Sequence, residues 1–117
     1  MRDSVGDKPD YCMIESVMEV IGGKWKLAIL QHLFAGPRRF GQLRRALPSI
    51  TQRMLTRQLR ELEADGIVTR TVHPQVPPKV EYSVTETGAS LEDIARRLDS
   101  WGRWYHGRRV GPDPAEQ

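Results

Sequence analysis

Pro48-Ser49-Ile50-Thr51-Gln52-Arg53-Met54-Leu55-Thr56-Arg57-Gln58-Leu59-Arg60-Glu61-Leu62-Glu63-Ala64-Asp65-Gly66 contains the start, the buried stripe and the stop of one amphipathic helix. Ser49, with Gln52 three positions on, fits a capping box in which each residue satisfies a backbone N–H of the other. Ile50, Leu55, Leu59 and Leu62 supply the apolar stripe. Gly66 stands one residue past the end, where a left-handed C-terminal cap favours glycine. At about 3.6 residues per turn, Arg53, Thr56, Arg57 and Arg60 fall opposite the leucines within about 100 degrees. That side holds no acid, and Glu61 and Glu63 come only on the last turn.

Towards the N-terminus, Phe40, Leu43 and Leu47 mark a short helix stopped by Pro48, so Pro48-Ser49-Ile50 is the turn between two helices. Arg38-Arg39-Phe40 has room for one strand-like bridge. A longer helix is expected from Lys24 to Ala35, with Trp25, Leu27, Ile29, Leu30, Leu33 and Phe34 wrapping most of its circumference, as in a buried central element. Gly36-Pro37 ends it. Before it, Ile14, Val17, Met18 and Ile21 recur at helical spacing behind Asp10 as a cap, and Gly22-Gly23 closes that helix.

Towards the C-terminus, Ile67 to Val72 and Lys79 to Val84 are β-branched runs around His73-Pro74-Gln75-Val76-Pro77-Pro78, a hairpin with a proline-rich, projecting tip. Thr85 and Thr87 introduce a last helix, Ala89 to His106. These parts are those of a winged helix-turn-helix, mainly α with a small β-hairpin wing. Residues 1–10 read as a flexible arm, 11–106 as the domain and 107–117 as a disordered tail.

The 117 residues allow one core, which excludes barrel and doubly wound enzymes. One Cys, no signal-like start and no aliphatic run near the roughly 20 residues of a membrane span place the chain in the cytoplasm, away from membranes. The net charge of +3 hides a segregation. From Val20 to Arg60 there are nine bases and no acid, while the rest of the chain holds nine bases against fifteen acids. Such a block is the footprint of a polyanion site.

Double-stranded DNA is therefore the expected partner. Gln52, Arg53, Thr56 and Arg57 lie near the helix start with the donors that read base edges in the major groove. Lys24, Lys26, Arg39, Arg60, Arg70 and Lys79 are the candidate phosphate contacts, the two lysines because they open a helix, with His73 also on the wing. On the last helix Leu91, Ile94, Leu98, Trp101 and Tyr105 step by three and four as in a coiled-coil seam, and with Ile14 and Val17 they form the candidate homodimer interface. A two-fold dimer sets its reading helices about 34 Å apart, one DNA turn, and calls for an inverted-repeat operator.

His32, His73 and His106 lie on different elements, and no metal-ligand spacing, nucleophile and base, or phosphate-binding glycine loop is present, so no enzyme, metal or cofactor is expected. A winged-helix adaptor for proteins would carry a mixed-charge or apolar fourth helix, which this chain lacks. Cys12 admits two readings: a small residue packed at a helix start, or a thiol whose reactive thiolate the helix dipole favours while Asp10 and Glu15 oppose it. The second implies an electrophile or another small-molecule effector.

From Tyr11 to Trp104 the chain resembles the HxlR family of bacterial transcriptional regulators, which are related in architecture to the MarR group. The resemblance rests on Cys12 with Glu15, Ile21-Gly22-Gly23-Lys24-Trp25, Gly36-Pro37-Arg38-Arg39-Phe40-Gly41-Gln42-Leu43, Ile50-Thr51-Gln52-Arg53-Met54-Leu55, Leu59 to Val68 and Val76 to Thr85. It implies a dimer built from the first and last helices that binds a palindromic operator as repressor or activator. Met13 follows Cys12 where the family often has proline.

Overall fold

The computed structural model describes residues 12–110. Four helices come first: α1 (Met13–Ile21), α2 (Lys26–Phe34), α3 (Phe40–Ala46) and α4 (Gln52–Ala64). The hairpin β1 (Val68–His73) and β2 (Lys79–Val84) follows, then the short α5 (Glu86–Ala89) and the long α6 (Glu92–Val110). This is the expected winged helix-turn-helix. No helix among the described residues is long and apolar enough to cross a membrane.

The start of α4 differs from expectation. Thr51 is its cap, and its Oγ1 accepts a hydrogen bond from the Met54 N–H at 3.0 Å. Ser49 lies in the turn, too far upstream to reach the first-turn amides. A capping contact of the glutamine type occurs one helix earlier, where Gln42 Oε1 accepts from the Arg39 N–H at 2.8 Å. Arg39 has no side-chain acceptor to reciprocate, so the box is half-formed. At the other end Gly66 is left-handed at φ 75°, with Ile67 N–H donating to Leu62 O and Gly66 N–H to Glu63 O. That pair of bonds is a Schellman cap, and Leu62 and Ile67 are both buried beside it.

Ile29, Leu30 and Leu33 of α2 form the centre of the core with Leu43, Ile50, Leu55, Leu59, Leu62, Ile67 and Val68. The wing is antiparallel, Val68 facing Val84 and His73 facing Lys79. Arg38 pairs with Tyr82 through two backbone bonds of 2.9 and 2.8 Å, the single bridge expected before α3. The wing is thereby held from both the α3 and the α4 sides.

The C-terminal half corrects the sequence reading. A helix from Ala89 to His106 is instead two helices with a break at Ser90-Leu91. Thr85 Oγ1 caps α5 by accepting from Gly88 N–H at 3.0 Å, and Ser90 Oγ donates to the Thr87 carbonyl. Gly88 is packed so tightly that a Cβ there would lie 2.1 Å from the Ile67 carbonyl oxygen. Leu91, at the break, packs against the core, so it leaves the outward seam to which its spacing assigned it. Helix α6 then runs to Val110, so residues 107–110 are helical where a tail was expected. Residues 1–11, with the expected arm and the expected first-helix cap Asp10, and residues 111–117 lie outside the described residues. Helix α2 begins at Lys26, with Trp25 as its cap residue, two residues later than expected.

Candidate nucleic-acid interface

Burial of Leu55, Leu59 and Leu62 turns the opposite side of α4 to solvent. There Gln52, Arg53, Thr56, Arg57, Arg60 and Glu61 line one open recess. Thr56 and Arg60 continue into a second recess with Glu63, Arg70 and Tyr82, which joins the fourth helix to the wing. Arg39 and Lys79 meet elsewhere, in a recess that they line with Gln42, Arg45 and Glu81. The four candidate base readers are thus brought together, and the candidate phosphate contacts fall into separate groups around them.

Two lysines depart from this arrangement. Lys24 is exposed and lies over the Trp25 ring, 4.9 Å from its centroid. Lys26 is buried, and its Nζ donates to Glu61 Oε1 at 2.5 Å, which removes it from the phosphate-contacting set. Glu61 Oε2 accepts from Arg57 Nε at 3.2 Å. The α4 surface is therefore not free of acid, and one candidate base reader is already paired. The Lys26 hydrogen bond, joined by that of Arg57 and by both positive charges, outweighs desolvation and holds the Glu61 carboxyl below its ordinary 4.5.

On the wing, Glu81 Oε1 accepts a hydrogen bond from His73 Nε2 at 2.9 Å, and its Oε2 lies 3.5 Å from Lys79 Nζ. Desolvation raises the Glu81 pKa, but the bonds and charges of His73 and Lys79 win and lower it. At 3.5 Å the contact with Glu81 is long, so Lys79 is not locked away from a phosphate. Arg44 and Arg45, in the last turn of α3, are exposed cations that received no site role from the sequence. The base-only block contained them; what was missing was the position of α3 beside the wing.

The decisive contrast lies in the pairing of arginines. On α6, Arg96, Arg97 and Arg103 each face an acid three or four residues earlier, as on an ordinary solvated helix. Arg39, Arg44, Arg45, Arg53, Arg60 and Arg70 have no acidic partner among the described residues. No group of three or more His, Cys, Asp or Glu among the described residues is placed to hold a metal ion.

The family model described as HxlR-like helix-turn-helix matches residues 20–110. The chain belongs to this HxlR-like family. It is 59% identical over 101 residues to the HTH-type transcriptional regulator YybR of Bacillus subtilis (strain 168), covering 86% of this chain and 81% of that one. Among solved structures, the redox regulator HypR in its oxidized form superposes with a TM-score of 0.76 at 59% identity, over 79% of this chain and 95% of that chain. The reduced form of the transcriptional regulator YodB from B. subtilis does so at 0.72 and 34%, over 86% and 95%. This HxlR-like chain is a transcriptional regulator with a helix-turn-helix fold.

Away from α3, α4 and the wing, the HxlR-like chain leaves two apolar faces uncovered. On α1, Met13 and Ile14 are 72% and 68% exposed, with Val17 and Met18 beside them. On α6, Ile94, Leu98, Trp101 and Trp104 are exposed, and Trp101 stacks on Tyr105 at 5.0 Å. Met13, Met18 and Trp104 were absent from the residues proposed for the seam; a strict three-four step passes over Trp104 in favour of Tyr105. Cys12 is the cap residue of α1 and is exposed, which sets aside its reading as a packed small residue.

The lowered Glu61 value has a consequence for acid stability. Its folded form binds a proton more weakly than the unfolded chain, so the stabilisation is complete above 4.5 and is lost as pH falls through the lowered value. Denaturant unfolding at about pH 6 and about pH 3 should show a loss of stability that is smaller in Glu61→Gln. Equal losses in the two proteins would reject this role for the pair.

Proposed function

We propose that the chain acts in the cytoplasm as a homodimeric, sequence-specific regulator on an inverted-repeat operator in double-stranded DNA. Gln52, Arg53, Thr56 and Arg57 read base edges, while Lys24, Arg39, Arg60, Arg70 and Lys79, joined by Arg44 and Arg45, hold phosphates. The observation that carries this reading is that Arg39, Arg44, Arg45, Arg53, Arg60 and Arg70 have no acidic partner among the described residues, whereas Arg96, Arg97 and Arg103 of α6 each have one. Side-chain reach from the first turns of α4 separates base reading from phosphate holding. Arg53→Ala should cost about 1–3 kcal/mol and relax preference at one operator position. Lys79→Ala should weaken specific and random DNA alike and flatten the salt dependence. Competition binding at several salt concentrations distinguishes them; matching losses on both DNAs for both variants would sink the division.

The uncovered faces of α1 and α6 support the dimer, because apolar patches of this kind mark interfaces. Leu98→Glu places an unpaired carboxylate in that interface. Sedimentation should then give monomers with weak operator binding, and a wild-type protein that is monomeric at micromolar concentration refutes the dimer.

Exposure of Cys12, together with the redox character that the name of HypR records for that protein, supports a thiol or electrophile response here. Oxidation or alkylation at the cap of α1 shifts one half of the dimer interface and with it the spacing of the reading helices. Operator binding is to be measured for wild type and Cys12→Ser before and after mild peroxide or a thiol-reactive electrophile. Loss in wild type alone is expected; unchanged wild-type affinity eliminates the switch.

A further inference from the structure

Lys26 is the one buried charged side chain among the described residues. A buried ammonium is costly unless it is paired, so its contact with Glu61 is the best-anchored ion pair of the domain. That contact fixes one oxygen of Glu61 from the inside. The other oxygen faces outward and takes the Nε of Arg57, whose side chain is 70% exposed.

The order of this outer pair is informative. The three ion pairs at four-residue spacing on α6 place the acid before the arginine, the more favourable direction along a helix, whereas Arg57 precedes Glu61. The reversed order is the less favourable one for helix stability. Engagement through Nε leaves both terminal guanidinium nitrogens, the pair that forks onto guanine O6 and N7. A long side chain held in this way is ordered before DNA arrives, so less ordering remains to oppose binding.

We propose that Glu61, anchored by Lys26, is a positioning residue that aims Arg57 at one base pair of the operator while its negative charge lowers affinity for DNA at large. This rests on the DNA-reading role of α4 proposed above. An acid in the reading recess repels phosphate wherever the protein binds, but only the correct base recovers that loss through the aligned Arg57 fork. Discrimination improves at the expense of non-specific affinity.

The test is selection from a random double-stranded DNA pool with wild type, Arg57→Ala, Glu61→Gln and the double variant, with binding to the selected and random DNA at matched salt. Glu61→Gln should lose preference by about tenfold at the base pair affected by Arg57→Ala, and at no other. Its affinity for random DNA should rise, and the double variant should lose nothing further at that pair. Lys26→Met, which keeps the buried stem and releases the inner oxygen of Glu61, should weaken preference at the same pair, with circular dichroism confirming the fold. Preferences identical to wild type in folded Glu61→Gln and Lys26→Met overturn the proposal and leave DNA reading intact, as does a loss spread evenly over all positions. Failure of wild type to select any sequence overturns both.

Discussion

Three leucines on one side of α4 govern the domain. Leu55, Leu59 and Leu62 are almost entirely removed from solvent against the α2 core, and burying each contributes about 1.5–3 kcal/mol. A solvent-exposed pair such as Arg57 with Glu61 contributes about 0.2–1 kcal/mol. The leucines therefore set how α4 lies, and the charges follow. With the leucines turned inward, Gln52, Arg53, Thr56, Arg57 and Arg60 have no direction left but outward.

The wing takes its position from the end of the same helix. Gly66 reverses the chain so that Ile67 and Val68 enter the core at once. The Ile67 carbonyl then receives both the N–H and the hydroxyl of Thr85, at 3.0 and 3.2 Å, and that hydroxyl also reaches the Gly66 carbonyl. Gly88 closes over the same carbonyl, where any side chain would collide. The stop of α4, the start of β1 and the start of α5 thus share one set of backbone atoms, which keeps Arg70 of the wing beside Thr56 and Arg60 of the helix.

What the sequence made legible is what depends on near neighbours in the chain. The leucine period of α4, Gly66 as its stop, Pro48 as the turn and the Lys79–Val84 strand depend on a few neighbouring residues, and the structure has all of them. Contacts across the chain were hidden. Lys26 and Glu61 are 35 positions apart, and the lysine looks like any helix-opening cation until α2 is laid against α4. The same holds for Leu91, whose spacing fits the α6 seam but whose place at a helix break turns it into the core. Thr51 displaced Ser49 as the cap for a different reason. Both are good caps, and the choice between them depends on where the turn brings Ile50 into the core.

The short link between α1 and α2 joins the helix with the uncovered apolar face to the lysine that pairs with α4. Gly22 ends α1 and Gly23 takes φ 90°, a conformation that disfavours a side chain, so the chain reverses within a few residues. Trp25 follows as the cap residue of α2, and Lys26, the next residue, holds Glu61. Five positions therefore separate the last residue of α1 from the lysine that anchors the Arg57 pair. Ile21 is buried and Val20 packs against the core, so the C-terminal end of α1 is fixed while Met13 and Ile14 stand free at the other. The uncovered end of α1 and the Lys26–Glu61 pair are thus near neighbours in the chain.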